Sequence, residues 1–221
     1  MIVNERLVTY INSLAPEKSQ LLNQIEDEAQ KDCIPIIKTE TQTLLRFLMQ
    51  SHMPRDILEV GTAVGFSAIL MKEYNPCECR IVTIENYEKR IPVAKQNFQR
   101  AGYEQTIKLL EGDASMLLKE LEGSFDFIFM DAAKAQYIIF LPEVIRLLKP
   151  GGMLVSDNVL QDGEIIESKY AVMRRNRTIH KRMRQYLYEL THNSQLNTIL
   201  LPIGDGVTIS TKLEQKEEPH E

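Results

Sequence analysis

From residue 57 onward the chain alternates between two periodicities, and that alternation restricts its fold more than any other feature. Short β-rich runs occur at 57–60 (ILEV), 80–85 (RIVTIE), 106–113 (TIKLLEGD), 125–131 (FDFIFMD) and 152–158 (GMLVSDN). Helix-like stretches separate them at 66–74, 87–101, 114–121 and 136–148. The runs are apolar at consecutive positions, so neither face of such a strand is suited to water. Strands of that kind, alternating with helices, form a parallel sheet covered on both sides. Two further β-rich runs, NTILLPIG and GVTISTK, flank Asp205 between Gly204 and Gly206 and predict a closing antiparallel hairpin.

Ahead of this region, residues 2–14 and 17–31 carry apolar residues at helical spacing on either side of Pro16. The stretch IPIIKTETQTLLRFLMQ predicts a short extended piece and then a helix, with Thr39 and Gln42 at capping-box spacing. The expected organisation is a helical extension over 1–35, a main domain over 36–212, and a charged, disordered tail over 213–221. With 221 residues, 43% hydrophobic and 26% charged, the chain is long enough to bury a sizeable core. No apolar run approaches the ~18 residues a membrane helix needs. The first residues lack the basic start and apolar core of a secretory signal. A cytoplasmic protein without a membrane partner is therefore expected. Cys33, Cys77 and Cys79 make an odd count and read as reduced thiols, and no histidine stands in zinc-type spacing with a cysteine. The net charge of −5 does not suggest a nucleic-acid binder, but it can hide a local patch.

The glycines of EVGTAVG (59–65) follow the first strand. A G-x-G-x-x-G fingerprint is absent, because Ala63 and Phe66 occupy two of its glycine positions, and no P-loop Gly-Lys-Ser/Thr follows. What remains is E-x-G-x-x-x-G. A carboxylate at Glu59 is unfavourable beside phosphates and suits a ligand that carries an ammonium group. A tight strand-to-helix turn would have the same pattern. Glu85, at the end of the second strand, can accept hydrogen bonds from a ribose hydroxyl pair. Asp113, closing the third, can receive an adenine amino group. Unless all three are merely solvated strand ends, they outline a cleft for an adenosine bearing an amino acid, which describes S-adenosylmethionine.

FIFMDAAKAQY ends the fourth strand at Asp131 and sets Lys134 and Tyr137 on the opening turns of a helix. GGMLVSDNVL ends the fifth with Asp157 and Asn158. Neighbouring strands would bring these three oxygen donors together. Two carboxylates and an amide suit Mg²⁺, Mn²⁺ or Ca²⁺ and are poor ligands for zinc or copper. A lone Asp-Asn can also simply form a turn, and Lys134 can simply pair with a carboxylate.

Together these motifs resemble the cation-dependent O-methyltransferases of the catechol and caffeoyl-CoA type, from IIKTETQ (36–42) to GDGVTIS (204–210). The resemblance implies a Rossmann-like class I methyltransferase fold, a seven-stranded, mostly parallel sheet with helices on both faces. It implies S-adenosylmethionine bound by Ile37, Glu59, Gly61, Ser67, Glu85, Asp113, Ala114 and Asp131. It also implies a divalent cation on Asp131, Asp157 and Asn158, with Asp131 and Lys134 as the catalytic pair and Lys134 near the substrate hydroxyl. Plant-type members carry a second acidic residue before that lysine. Ala133 stands there here, so the position is left out of the metal site.

Between Glu167 and Glu189 there is no acidic residue, while Arg174, Arg175, Arg177, Lys181, Arg182 and Arg184 fall within eleven positions. This basic helical stretch, expected over 171–192, can contact RNA phosphates, with Tyr170, Tyr186 and Tyr188 as stacking faces. It can equally be a solvated helix whose aliphatic stems cover the core, or a dimer contact. The chain as a whole resembles the bacterial branch of the family that methylates 5-hydroxyuridine in tRNA to 5-methoxyuridine. That resemblance implies the anticodon loop as substrate, with Arg174, Arg175, Arg177, Lys181 and Arg182 as RNA-binding residues, and a homodimer. The other readings are a small-molecule catechol-type methyltransferase and a non-catalytic module that retains the fold.

Overall fold

The structure is a computed structural model and describes residues 3–214. The charged tail, apart from its first two residues, lies outside them. Three helices come first: α1 (Glu5–Ser13), α2 (Gln20–Lys31) and α3 (Thr39–His52). The alternating region follows as β1 (Asp56–Val60), α4 (Phe66–Tyr74), β2 (Arg80–Glu85), α5 (Ile91–Arg100), β3 (Ile107–Glu111) and α6 (Ala114–Glu120). It continues with β4 (Phe125–Met130), α7 (Tyr137–Leu147), β5 (Leu148–Ser156), α8 (Arg177–His192), β6 (Leu196–Leu201) and β7 (Val207–Lys212).

The sheet has seven strands in the order β3-β2-β1-β4-β5-β7-β6. β7 runs antiparallel to β5 and β6, and the remaining pairs are parallel. Strand residues alternate between two cores. Ile57, Ile81, Phe127 and Phe129 face a cluster with α2, α3, α4 and α5, while Leu58, Ile84, Ile128 and Met130 face one with α6, α7 and α8. This two-sided burial is why the strand sequences read as continuous apolar runs. The strand order turns back at β1 and β4. Ligand clefts in such sheets open there, outside the carboxyl ends of the strands.

Four local readings change. Lys38, not Thr39, occupies the N-cap of α3, and no side chain caps it. Gln42 instead donates to Ile37 O (2.9 Å) and to Glu26 Oε1 (3.0 Å), tying α3 to α2. Second, α2 buries Leu22, Ile25 and Ala29 in the core shared with α3 and α4, so residue 35 marks a change of sequence pattern and not of core. α1 buries nothing. Third, the basic helix begins only at Arg177, after a 3-10 turn at Arg174–Asn176. Fourth, β5 starts at Leu148, ahead of the double glycine, which lies within the strand. Cys33, Cys77 and Cys79 are free thiols. Among the described residues no helix is long and apolar enough to cross a membrane.

Candidate active site

A cleft of about 570 Å³ opens at the switch point, lined by Ile37, Gly61, Glu85, Asp113, Ala114, Asp131, Asp157 and Asn158 among others. Its size lies within the range of small-ligand sites. Gly61 forms its floor at φ +106°, and a Cβ there would lie 2.0 Å from Asp131 O. Only glycine satisfies both the positive φ and that close approach. Gly65 (φ +82°) starts α4 against the ring of Phe98, 2.5 Å from where a Cβ would stand. These glycines join a strand to a helix, and the first also brings the ends of β1 and β4 together.

Glu85 is buried, and its carboxylate accepts three backbone N–H groups, from Ala63 (2.8 Å), Asn86 (3.0 Å) and Tyr87 (2.9 Å). Each carboxylate oxygen can accept about two bonds. Oε2, with one partner, retains capacity for a ligand hydroxyl. Asp113 caps α6 through the N–H of Ser115 (2.7 Å), and this bond holds its carboxyl below the ordinary value.

Glu59 and Ser67 do not line the cleft but lie beneath it. The β1–β2 register sets Glu59 opposite Thr83, and its fully buried carboxyl accepts the hydroxyls of Thr83 and Ser67 beneath the glycine loop. Burial pushes it up to about 8 against those hydrogen bonds, with Asp131 and Glu85 adding repulsion. A neutral carboxyl sealed under the loop is not placed to meet an ammonium group. Its role here is to fasten β1, β2 and the first turn of α4.

Across the cleft, the ends of β4 and β5 carry Asp131, Asp157 and Asn158. The hydroxyl of the buried Tyr137 lies 3.1 Å from both Met130 O and Asp157 O and accepts from Ala132 N (3.3 Å), so one side chain fixes both strand ends. Asn158 Nδ2 donates to Asp131 Oδ1 (2.9 Å), and Asp157 Oδ1 accepts from Asn158 N (2.8 Å) and more distantly from Thr41 Oγ1 (3.4 Å). Asn158 holds φ +62°, an uncommon conformation that asparagine tolerates and that recurs at functional sites. Burial, and then the Asp131 charge, push Asp157 up to about 7. Asp131 is raised by burial, against the Asn158 hydrogen bond and the charges of Lys134 and Arg90. Among the described residues neither aspartate forms an ion pair.

This donor set fits a hard divalent cation. Two carboxylates converge without an ion pair among the described residues, and half a turn of the Asn158 amide would present its oxygen where its nitrogen now stands. Among the described residues no group of three His, Cys, Asp or Glu side chains is arranged around a metal. The protein would therefore supply part of a coordination shell, leaving positions for water or substrate oxygens.

Lys134 does not line the cleft but stands in the 3-10 turn Lys134–Gln136 beside it, close enough for its charge to favour ionised Asp131 and Asp205. Among the described residues it makes no ion pair, so the simple pairing reading is not what the structure shows. Asp205 was not singled out by sequence reasoning as a site residue, although GDG signalled its turn. It lines the cleft and accepts from Lys38 Nζ (2.5 Å), and its backbone carbonyl accepts Leu160 N (2.8 Å). The hairpin turn thus steadies the segment that follows Asn158. Tyr87 and Arg90, just beyond β2, are further lining residues that carried no sequence signal.

The basic stretch divides into two parts. Arg174 and Arg175 are exposed on the 3-10 turn, as are Arg177 and Lys181 on α8. Arg182 is half-buried and donates to Ala135 O (3.1 Å), in the turn that holds Lys134. Tyr186 is buried and hydrogen-bonded to Ser156 Oγ (2.6 Å), and it offers no stacking face, whereas Tyr170 and Tyr188 are exposed.

A family profile described as O-methyltransferase matches residues 12–213. A caffeoyl-CoA O-methyltransferase of Populus trichocarpa is 27% identical over 96% of this chain and 91% of its own length. A catechol O-methyltransferase of Niastella koreensis is 36% identical over 56% of this chain and 58% of its own. In structure, a Podospora anserina methyltransferase with bound SAH superposes with a TM-score of 0.86 at 26% identity, covering 96% of this chain and 97% of that one. A Staphylococcus aureus protein superposes with a TM-score of 0.85 at 30% identity, covering 92% and 98%. The chain belongs to the class I, S-adenosylmethionine-dependent O-methyltransferase family.

Proposed function

We propose that this enzyme transfers a methyl group from S-adenosylmethionine to the 5-hydroxyl of 5-hydroxyuridine at the wobble position of tRNA, forming 5-methoxyuridine. The observation that carries this reading is the bond from Arg182 to Ala135 O, which joins the basic helix to the turn bearing Lys134. The nucleobase offers O4 and the 5-hydroxyl side by side, as a catechol offers its two oxygens, and an anticodon-loop base is single-stranded and open to extrusion.

When bound, S-adenosylmethionine supplies the sulfonium methyl to the attacking oxygen. A divalent cation such as Mg²⁺, held by Asp131, Asp157 and Asn158, would acidify and orient the substrate hydroxyl. The remaining work falls to the chain. Gly61, Ile37 and Ala114 shape the donor side of the cleft, and Glu85 and Asp113 offer acceptors to ribose and adenine. Lys134, in the turn beside the cleft, is the candidate general base for the hydroxyl proton, a role that requires its neutral amine. Tyr137 keeps Asp131 and Asp157 in register, so that positioning is set before the substrate arrives.

The test is incubation of purified protein with labelled methyl donor, Mg²⁺ and tRNA carrying 5-hydroxyuridine, followed by nucleoside mass spectrometry. Labelled 5-methoxyuridine is expected, and no transfer to RNA overturns the reading. A small-molecule catechol or caffeoyl-CoA-type activity is the second reading, favoured by the relatives' substrates. Transfer to a catechol with none to tRNA would establish it. We further propose a homodimer, supported by the exposed Leu7, Tyr10 and Ile11 of α1 and Leu14 at its C-cap, with the exposed Phe47 lining the same groove as Ile11 and Leu14, and light scattering would test it.

A further inference from the structure

Arg177, Lys181 and Arg184 fall at i, i+4 and i+7 on α8 and so line up along one face over about 10 Å of helix. Arg182 stands beside that row, and Lys169 faces it from the preceding segment. With Glu167 they line a cavity of about 840 Å³, distinct from the methyl-transfer cleft. Like charges four residues apart weaken a helix unless an anion answers them. Among the described residues none of these five cations forms an ion pair.

Three of the cations are held from behind. Arg177 Nε donates to Val172 O (3.3 Å), Arg182 Nη1 to Ala135 O (3.1 Å) and Arg184 Nη1 to Ile165 O (3.1 Å). A guanidinium has five N–H donors, so each bond restrains the group and leaves donors for an oxyanion. The same segment exposes Ile166 (80%) and Tyr170 (76%), with Lys169 Nζ 5.0 Å from the Tyr170 ring centre. Fixed cations beside an exposed aromatic face suit a single-stranded nucleic acid, whose phosphates and bases need both.

We propose that this cavity is a phosphodiester-binding subsite that holds the RNA strand as it leaves the methyl-transfer cleft. It rests on the tRNA reading above. Lys169, Arg177, Lys181 and Arg184 contact the backbone, and Tyr170 stacks on an unpaired base. Arg182 is a positioning residue: through Ala135 O it relates the bound strand to the turn that holds Lys134.

Fluorescence anisotropy with a labelled anticodon stem-loop carrying unmodified uridine measures binding without turnover. The double variant Lys169→Ala/Lys181→Ala should weaken binding at least tenfold at about 100 mM salt. It should also lower the slope of log K against log salt by about one for each phosphate no longer neutralised. Calorimetry of S-adenosylmethionine binding reports whether each variant is folded. Arg182→Lys keeps the charge but not the guanidinium fork, so its kcat on 5-hydroxyuridine tRNA should fall several-fold more than its KM rises. An unchanged affinity and salt slope in a folded double variant overturn the subsite, even where the wild type methylates tRNA. A wild type that methylates no RNA overturns the functional reading instead. If wild-type protein binds coenzyme A through these residues and not the stem-loop, the cavity serves a small phosphorylated substrate and the RNA assignment falls.

Discussion

The two walls of the cleft are built on opposite electrostatic terms. On the β1–β3 side the acidic groups are already answered by the chain: Glu85 by three backbone N–H groups, Asp113 by the first turn of α6, and Glu59 by two hydroxyls under the loop. On the β4–β5 side Asp131 and Asp157 face each other without an ion pair among the described residues, beside an asparagine in left-handed backbone, and Lys134 and Arg90 act on Asp131 only from beyond ion-pair distance. A satisfied wall is shaped in advance for a ligand read by hydrogen bonding. A wall whose carboxylates lack ion pairs retains charge that a bound cation can offset. The donor side is accordingly set by backbone geometry, and the acceptor side by electrostatics.

Four substitutions break or sharpen that contrast, the strongest first. Asp157→Asn removes one unanswered carboxylate. Methyl transfer should fall by at least ~100-fold, while donor binding by calorimetry persists. Chelation of the wild type should mimic the loss, and added Mg²⁺ should reverse it. Gly61→Ala attacks the other wall. Its Cβ has no room against Asp131 O, so S-adenosylmethionine affinity should drop by about 100-fold and Tm should fall with it. A variant that binds the donor normally would show that the close approach of β1 and β4 does not shape the donor wall.

Lys149→Met removes charge far from both walls, at the amino ends of the strands. Lys149 Nζ bonds Asp56 (2.8 Å) and Asp126 (2.9 Å), and against the opposing effect of burial these bonds hold both carboxyls below their usual values. The expected loss is about 1–2 kcal/mol by denaturant unfolding, without a change in donor affinity. Because the folded pKa values are depressed, the wild-type contribution is present above roughly pH 4 and disappears as pH falls below it. The variant's pH profile should be flatter there.

Glu59→Gln should do least. With its carboxyl raised to about 8, Glu59 carries a proton at neutral pH, and glutamine replaces it with nearly the same shape. Stability at pH 7 should change by less than about 1 kcal/mol and donor affinity by less than twofold. The sign for the wild type is opposite to that of Asp56. A raised folded pKa gives stability that is complete below about 4.5 and is lost as pH rises towards 8. Tm should therefore decline less steeply over that window in Glu59→Gln. A tenfold loss of donor affinity would mean that the ionised carboxylate reaches the ligand after all.

The sequence by itself determined the sheet and the meeting of Asp131, Asp157 and Asn158. Apolar runs alternating with helices admit little except a parallel sheet buried on both faces, and its strands end where those residues stand. It determined the glycine turn as well, since E-x-G-x-x-x-G excludes a phosphate cradle. It could not determine which way Glu59 points, because that depends on the β1–β2 register that sets it against Thr83. Nor did it reveal that Lys38 pairs with Asp205 across a separation of 167 residues, or that Arg182 reaches back to Ala135. Periodicity is a local property and sets which elements form. The partner of a side chain is a property of packing, and the tertiary structure alone decided which acids are answered by the chain and which are left for a ligand.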